Sequence, residues 1–185
     1  MNISVAIHHS AFRIPHSAFH IPHSTVRIPH SAFMNLLFLT PQLPHPPRQG
    51  TAIRNWGLIK SLSARHAIAL LTFADESESI TPELRAACVH IETVPPPSRR
   101  AADRLRDLLL SSRPDLARRL SSPAFAARLD TLLQSKQFDV IFCEGLELAP
   151  FLFSIPHSAF RIVFDAHNAE AVLQRRAFEN DIRSP

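Results

Sequence analysis

The chain has 185 residues, 45% hydrophobic and 19% charged, with 20 Lys and Arg against 16 Asp and Glu for a net charge of +4. A chain of that size and composition buries one ordinary core and has room for little more than one soluble domain. No segment approaches the roughly 20 uninterrupted apolar residues of a membrane-spanning helix, and Pro, His and Arg break up the N-terminus too often for a secretory h-region.

Two of the 20 basic residues, Arg13 and Arg27, lie in the first 33, which hold no acid; the remainder sets 18 basic against 16 acidic residues. That balance argues against nucleic acid as a partner. The two cysteines, Cys88 and Cys143, sit in separate apolar runs. They are too few for a disulfide framework in a chain of this length, and both are read as reduced thiols of a cytoplasmic protein.

Residues 1–33 carry a repeat of period seven: HSAFRIP at 9–15, HSAFHIP at 16–22, HSTVRIP at 23–29 and HSAF at 30–33, with IPHSAFR returning at 155–161. A proline in every unit removes a helix hydrogen bond and excludes a coiled coil. Six of the eleven histidines fall here: His8, His9, His16, His20, His23 and His30. A metal-binding tract is one reading and an unstructured low-complexity leader the other. The leader is preferred, because no carboxylate or cysteine joins the histidines and their spacing follows the repeat. Met34, directly before the first strand, is then expected to be the start of the protein proper.

From Met34 strands and helices alternate. A strand over Leu36 to Thr40 leads through a Pro-rich turn and Gly50 into a helix from Thr51, its expected N-cap, to Ala64. Ile53, Trp56, Leu58, Ile59 and Leu62 form the apolar face of that helix. A strand over Ala67–Phe73 follows, then a loop and short helix over 74–87, and a third strand from Cys88 to Val94. The stretch from Ser98 to Lys136 is helical, Arg-rich and punctuated by Pro114 and Pro123. Phe138 to Cys143 is the fourth strand, Leu146 to Leu152 a short helix, Arg161 to Asp165 the fifth strand, and Ala169 to Asn180 the last helix. This alternation predicts an α/β fold, a Rossmann-like doubly wound parallel sheet. Ligands in such sheets bind beyond the C-terminal strand ends.

Three of those ends carry polar residues. After the first strand come Gly50, Thr51 and Arg54; after the fourth, Glu144 and Gly145; after the fifth, Asp165, His167, Asn168 and Glu170. Gly50 lets a backbone approach a phosphate or sugar, or else makes an ordinary tight turn. Arg54 offers a planar cationic fork, or else pairs with a nearby acid. His167 can bond a sugar hydroxyl or move a proton, or else is a satisfied structural histidine. Asn168 is read first as a helix N-cap, Asp165 as a loop-bracing acceptor or an acid, and Glu170 as a charge favouring the positive helix end. Neither a P-loop nor a G-x-G-x-x-G fingerprint is present, so nucleotide hydrolysis and nicotinamide binding lose support. No cofactor and no metal is expected.

The run 34–54, the helix end LSARH at 62–66 and the strand AIALLTF at 67–73, with FDVIFCE at 138–144 and VFDAHNAE at 163–170, together resemble the N-terminal domain of family 4 glycosyltransferases of GT-B fold. The likeness is to the exopolysaccharide branch in particular and covers 34 to about 181. The resemblance implies transfer of a sugar from a nucleotide-diphosphate donor to a glycan or lipid-linked acceptor. It places Gly50 and Thr51 in the family's glycine loop, Arg54 at the following helix start and His167 as the catalytic residue at the cleft, with Glu144 and Asn168 in substrate binding. It divides the chain into a disordered leader (1–33) and an acceptor-side domain (34–181), and implies that the C-terminal donor-binding half is absent. A separate chain carrying that half is then an expected partner, and this chain alone is expected to be inactive or nearly so. The single glycine in the loop, where many relatives have two, and the repeat unit at 155–161 depart from the family pattern.

A noncatalytic Rossmann-like binding module or remnant is the alternative. A small hydrolase is disfavoured, since no G-x-S-x-G occurs. The arginines at 99, 100, 104, 106, 113, 118 and 119 form either a solvated helix surface, the preferred reading, or a peripheral contact with anionic lipid at the inner membrane face.

Overall fold

The computed structural model describes residues 33–98, 118–153, 155, 160–166, 172, 175, 176 and 179. The repeat leader up to residue 32, most of the Arg-rich segment, most of the second repeat copy, and His167, Asn168 and Glu170 lie outside the described residues.

The described elements run β1 (Asn35–Thr40), α1 (Gly50–Ser63), β2 (Ala67–Phe73), α2 (Pro82–Ala87), β3 (His90–Val94), α3 (Pro123–Ser135), β4 (Val140–Glu144), α4 (Ala149–Leu152) and β5 (Arg161–Asp165). All strand pairs are parallel, in the order β3-β2-β1-β4-β5. The order reverses at β1, so the topological switch lies between β1 and β4, where open α/β sheets bind their ligands. Val172, Arg175, Arg176 and Glu179 are helical, within the span read as the last helix.

Strand alternation divides the core in two. Leu36, Phe38, Ile68 and Leu70 face α1 and α2 and pack with Ile59 and Leu84. Leu37, Leu39, Leu71, Phe73, Ile141 and Cys143 face the other way, against Phe125, Leu129 and Leu132 of α3 and Phe151 of α4. β1 and β2 are therefore buried on both faces by helices, which is why they read as near-continuous apolar runs, while β5 at the edge leaves Val163 and Phe164 exposed. Phe38 and Phe142 are register neighbours on β1 and β4, and their rings stack at 4.8 Å. On the opposite face Phe125 stacks on Phe73 at 4.5 Å and meets Phe151 at 4.7 Å.

Local chemistry starts two of the helices. Thr81 accepts from the Leu84 amide at 3.3 Å and Ser122 from the Phe125 amide at 3.2 Å, each followed by a proline in the first turn. That order is a standard helix entry.

Several boundaries differ from those the sequence suggests. β3 starts at His90 because the Cys88 amide still bonds Leu84 O, 3.1 Å away, closing α2. β4 starts at Val140 because Asp139 is engaged with Asn35, its amide donating to the Asn35 carbonyl and its carboxylate accepting from the Asn35 amide. α4 is confined to Ala149–Leu152, as 146–148 form a turn closed by i to i+3 bonds. α1 begins at Gly50 with Gln49 as N-cap, so Thr51 stands one residue inside the helix and is not its cap. The inward stripe is Ala52, Asn55 and Ile59, with Trp56 and Leu62 packed beside it. Ile53, read as part of the apolar face, is instead 56% exposed.

Both cysteines are buried and free. Burial pushes the Cys88 thiol up to about 11; burial, and then the charge of Glu144, push Cys143 up to about 12. Ionisation in the unfolded chain begins near the ordinary value of 9.0, while the folded thiols keep their protons. The stability from the protonated thiols is thus complete below about pH 9 and is lost as pH rises towards about 12. Thermal melts across that window should fall steadily, and Cys143→Ala should flatten the decline. An unchanged slope in the variant would contradict the assignment. Phe125→Ala should cost about 3–5 kcal/mol in urea unfolding, since the ring fills space between β2 and α4.

Candidate functional site

At the C-terminal edge of the sheet, α1 begins on bare backbone. Ile53 N bonds Gln49 O at 2.8 Å and the Gln49 side chain makes no capping bond. The amides of Gly50, Thr51 and Ala52 therefore have no intrahelical acceptor, and the positive end of the helix dipole is directed at whatever lies beyond them. Gly50 lacks the left-handed φ that Gly145 shows at 81°, and a Cβ built on Gly50 would meet nothing within 4 Å. It thus sits in no tight turn and against no protein neighbour, leaving open space over a helix start.

One turn further on, two consecutive side chains reach across the switch point. Arg54 Nη2 donates to Asp165 Oδ1 at 2.6 Å, with the Arg54 side chain half exposed and Asp165 nine-tenths buried. Asn55 Nδ2 donates to Glu144 Oε2 at 2.7 Å, and both residues are only 1% exposed. Glu144 and Asp165 are register partners at the ends of β4 and β5. The Gly145 amide donates to the Asp165 carbonyl at 3.1 Å, so the turn after β4 is held against β5. Gly145 is the position that needs glycine, because its φ is one that L side chains avoid.

The cluster sets two carboxylates against one guanidinium and one amide. Its charge repels a phosphate at Glu144 and Asp165, while the start of α1 attracts one. Asn55 Oδ1 and Asp165 Oδ2 are buried and have no hydrogen-bond partner among the described residues; each such atom costs about 1–3 kcal/mol. These are acceptor positions, chemically suited to hydroxyl donors. Among the described residues no group of three or more His, Cys, Asp and Glu is placed to hold a metal ion, and no helix is long and apolar enough to cross a membrane.

Of the residues singled out in the sequence, Gly50, Thr51, Arg54 and Glu144 gather at this edge, with Thr51 half-buried in the first turn. Glu144 ends β4 and turns inward to Asn55. Arg54 is engaged as the partner of an acid, one of the two readings open for it, and Asp165 braces the helix start. His167 and Asn168 lie outside the described residues. Asn55 was not singled out, and Gly145 was noted only as the residue following Glu144. The signal for Asn55 is an amide placed on the buried stripe of an amphipathic helix, where an apolar residue belongs unless something polar must be held.

Replacing Asn55 by Ala leaves the buried Glu144 carboxylate short of a charge-assisted hydrogen bond and should cost about 1.5–3 kcal/mol in urea unfolding. Arg54→Ala, at a half-exposed ion pair, should cost about 1 kcal/mol or less. Equal losses, or the reverse order, would contradict the buried pair's dominance.

No family model matches the chain, and no curated protein matches it. Among solved structures it is similar to UGT2 of Phytolacca americana, complexed with UDP-2fluoro-glucose and pterostilbene. The identity is 14% and the TM-score 0.39, over 72% of this chain and 31% of that one; the chain thus spans about a third of the other's length. A likeness of that size carries no argument. The fold itself is α/β and Rossmann-like, with five parallel strands and helices packed against them.

Proposed function

We propose that this chain is the acceptor-side half of a glycosyltransferase of the family 4 type, moving a sugar from a nucleotide-diphosphate donor to a glycan or lipid-linked acceptor. One observation carries the reading: at the switch point an uncapped 14-residue helix opens onto unobstructed space at Gly50, while its next turn binds the ends of β4 and β5. An anionic diphosphate is the ligand that backbone amides at a helix start favour, and the resemblance of 34–170 to that family supports the same choice.

In this reading Gly50 and Thr51 present amides to the donor diphosphate, and Arg54 stands beside them. Asn55 and Glu144 fix the helix start, and His167 handles a sugar hydroxyl or its proton. Cleft chemistry of this kind needs a second wall to exclude water and align both substrates; the donor-binding wall is assigned to further sequence or to a separate chain. A cytoplasmic location with peripheral membrane contact belongs to the same reading. The engagement of Arg54 by Asp165 favours the second reading, a noncatalytic module in which these pairs only brace the fold.

Sugar transfer from nucleotide-diphosphate sugars should be absent or minimal with this chain alone, and should appear on adding the product of a downstream reading frame that carries an α/β pattern. His167→Ala should then lower kcat/KM by about 100-fold or more. Full activity in that variant, or no transfer in any combination, would contradict the proposal.

A further inference from the structure

On the other flank of the α1 start lies a groove of about 440 Å³ between the 42–52 segment and the 77–81 loop, within the about 300–1,000 Å³ of small-molecule sites. Its walls are tied together. His45 Nδ1 lies 2.8 Å from Thr81 Oγ1, and the His45 ring packs on Trp56 at 4.5 Å, so the loop after β1 is clasped to the N-cap of α2. The groove is therefore preformed, which lowers the ordering cost of binding.

The lining decides what fits. Gln42 and Gln49 supply primary amides and Ser79 a hydroxyl, all able to donate and accept; Arg48 and Glu78 supply one charge of each sign, and Leu43 lies among them as an apolar contact. With one charge of each sign in the lining, Glu78, which accepts from the Asp75 amide at 2.9 Å, opposes a phosphate as much as Arg48 draws one. A lipid chain would leave the amides and the two charges desolvated and unpaired. A neutral polyhydroxylated ring suits this lining better, because its hydroxyls can both donate to and accept from the amides, the serine and the two charged side chains. Gln49 is also the N-cap of α1, so a ring held here lies beside Gly50.

We propose that this groove is the acceptor subsite and that it takes a neutral sugar ring of a glycan, in preference to a phosphate headgroup or a lipid chain. The inference rests on the glycosyltransferase reading for its role as acceptor site, while the groove's preference for sugar stands on its lining.

The test is amide shift mapping on the ¹⁵N-labelled full chain, titrated with the methyl glycosides of glucose, galactose, mannose and N-acetylglucosamine, and separately with inorganic phosphate. At least one glycoside should move the Gln42, Gln49 and Ser79 amides. Glu78→Gln and Gln49→Ala should each weaken it by about tenfold with the thermal melt unchanged. No response to any glycoside, stronger movement of the same amides by phosphate, or wall variants that bind as wild type would overturn the inference. Glycoside binding here without sugar transfer in the reconstituted assay would remove only the glycosyltransferase reading; transfer without glycoside binding would remove only the groove.

Discussion

The contact on which the rest of the C-terminal edge depends is the bond from Asn55 to Glu144. A carboxylate 1% exposed is tolerated in a core only where hydrogen bonds replace its water, and Asn55 supplies one at 2.7 Å. Because Asn55 sits on α1 and Glu144 ends β4, this single requirement fixes the start of α1 over the switch point. Arg54 and Asp165 repeat the link one strand further out at lower burial. With the helix start held there, the amides of Gly50 to Ala52 have no intrahelical acceptor, and the groove walled by Gln49 and Ser79 lies alongside.

The edge is thereby divided by chemistry. Towards β4 and β5 it is acidic, and towards β2 it is polar and nearly neutral. Between the two stands the positive end of a helix. Thr40 and Thr72, register neighbours at the ends of β1 and β2, meet through their hydroxyls at 2.8 Å, and Thr40 bonds the Gln42 carbonyl at 2.9 Å. A hydrogen-bonded path thus runs from the strand ends into the loop that walls the groove. An anion at the helix start and a neutral ring beside it is the combination this division suits.

Much of the architecture was legible from the residues because apolar runs bounded by polar or helix-forming sequence leave a clear record: AIALLTF, covered on both faces, and RIVFD, at the exposed edge of the sheet, read directly as β2 and β5. The finer placement was not legible, since it depends on bonds between residues far apart in the chain. Gln49, not Thr51, is the N-cap position of α1, and the rotation of the helix against the sheet buries Asn55 and exposes Ile53, which periodicity alone does not decide. Gly50 attracted notice as a glycine before a helix, yet the backbone demand for glycine falls on Gly145, where the chain turns from β4 while bonding Asp165. Arg54 was open between ligand and ion pair, and its partner 111 residues away settles its contact in this structure. Asn55 looked like one more helix residue, because the acid it serves is 89 positions distant.

The coupling between Asn55 and Glu144 tests the central claim most directly. A double-mutant cycle with Asn55→Ala and Glu144→Ala, read by urea unfolding, removes the bond in each single variant and isolates the pair from effects that either change has elsewhere. The account expects a coupling of about 1.5 kcal/mol or more, as befits a buried hydrogen bond to a charged group. Additive losses, with coupling near zero, would mean that the start of α1 is positioned by other forces and that the edge it organises has a different cause.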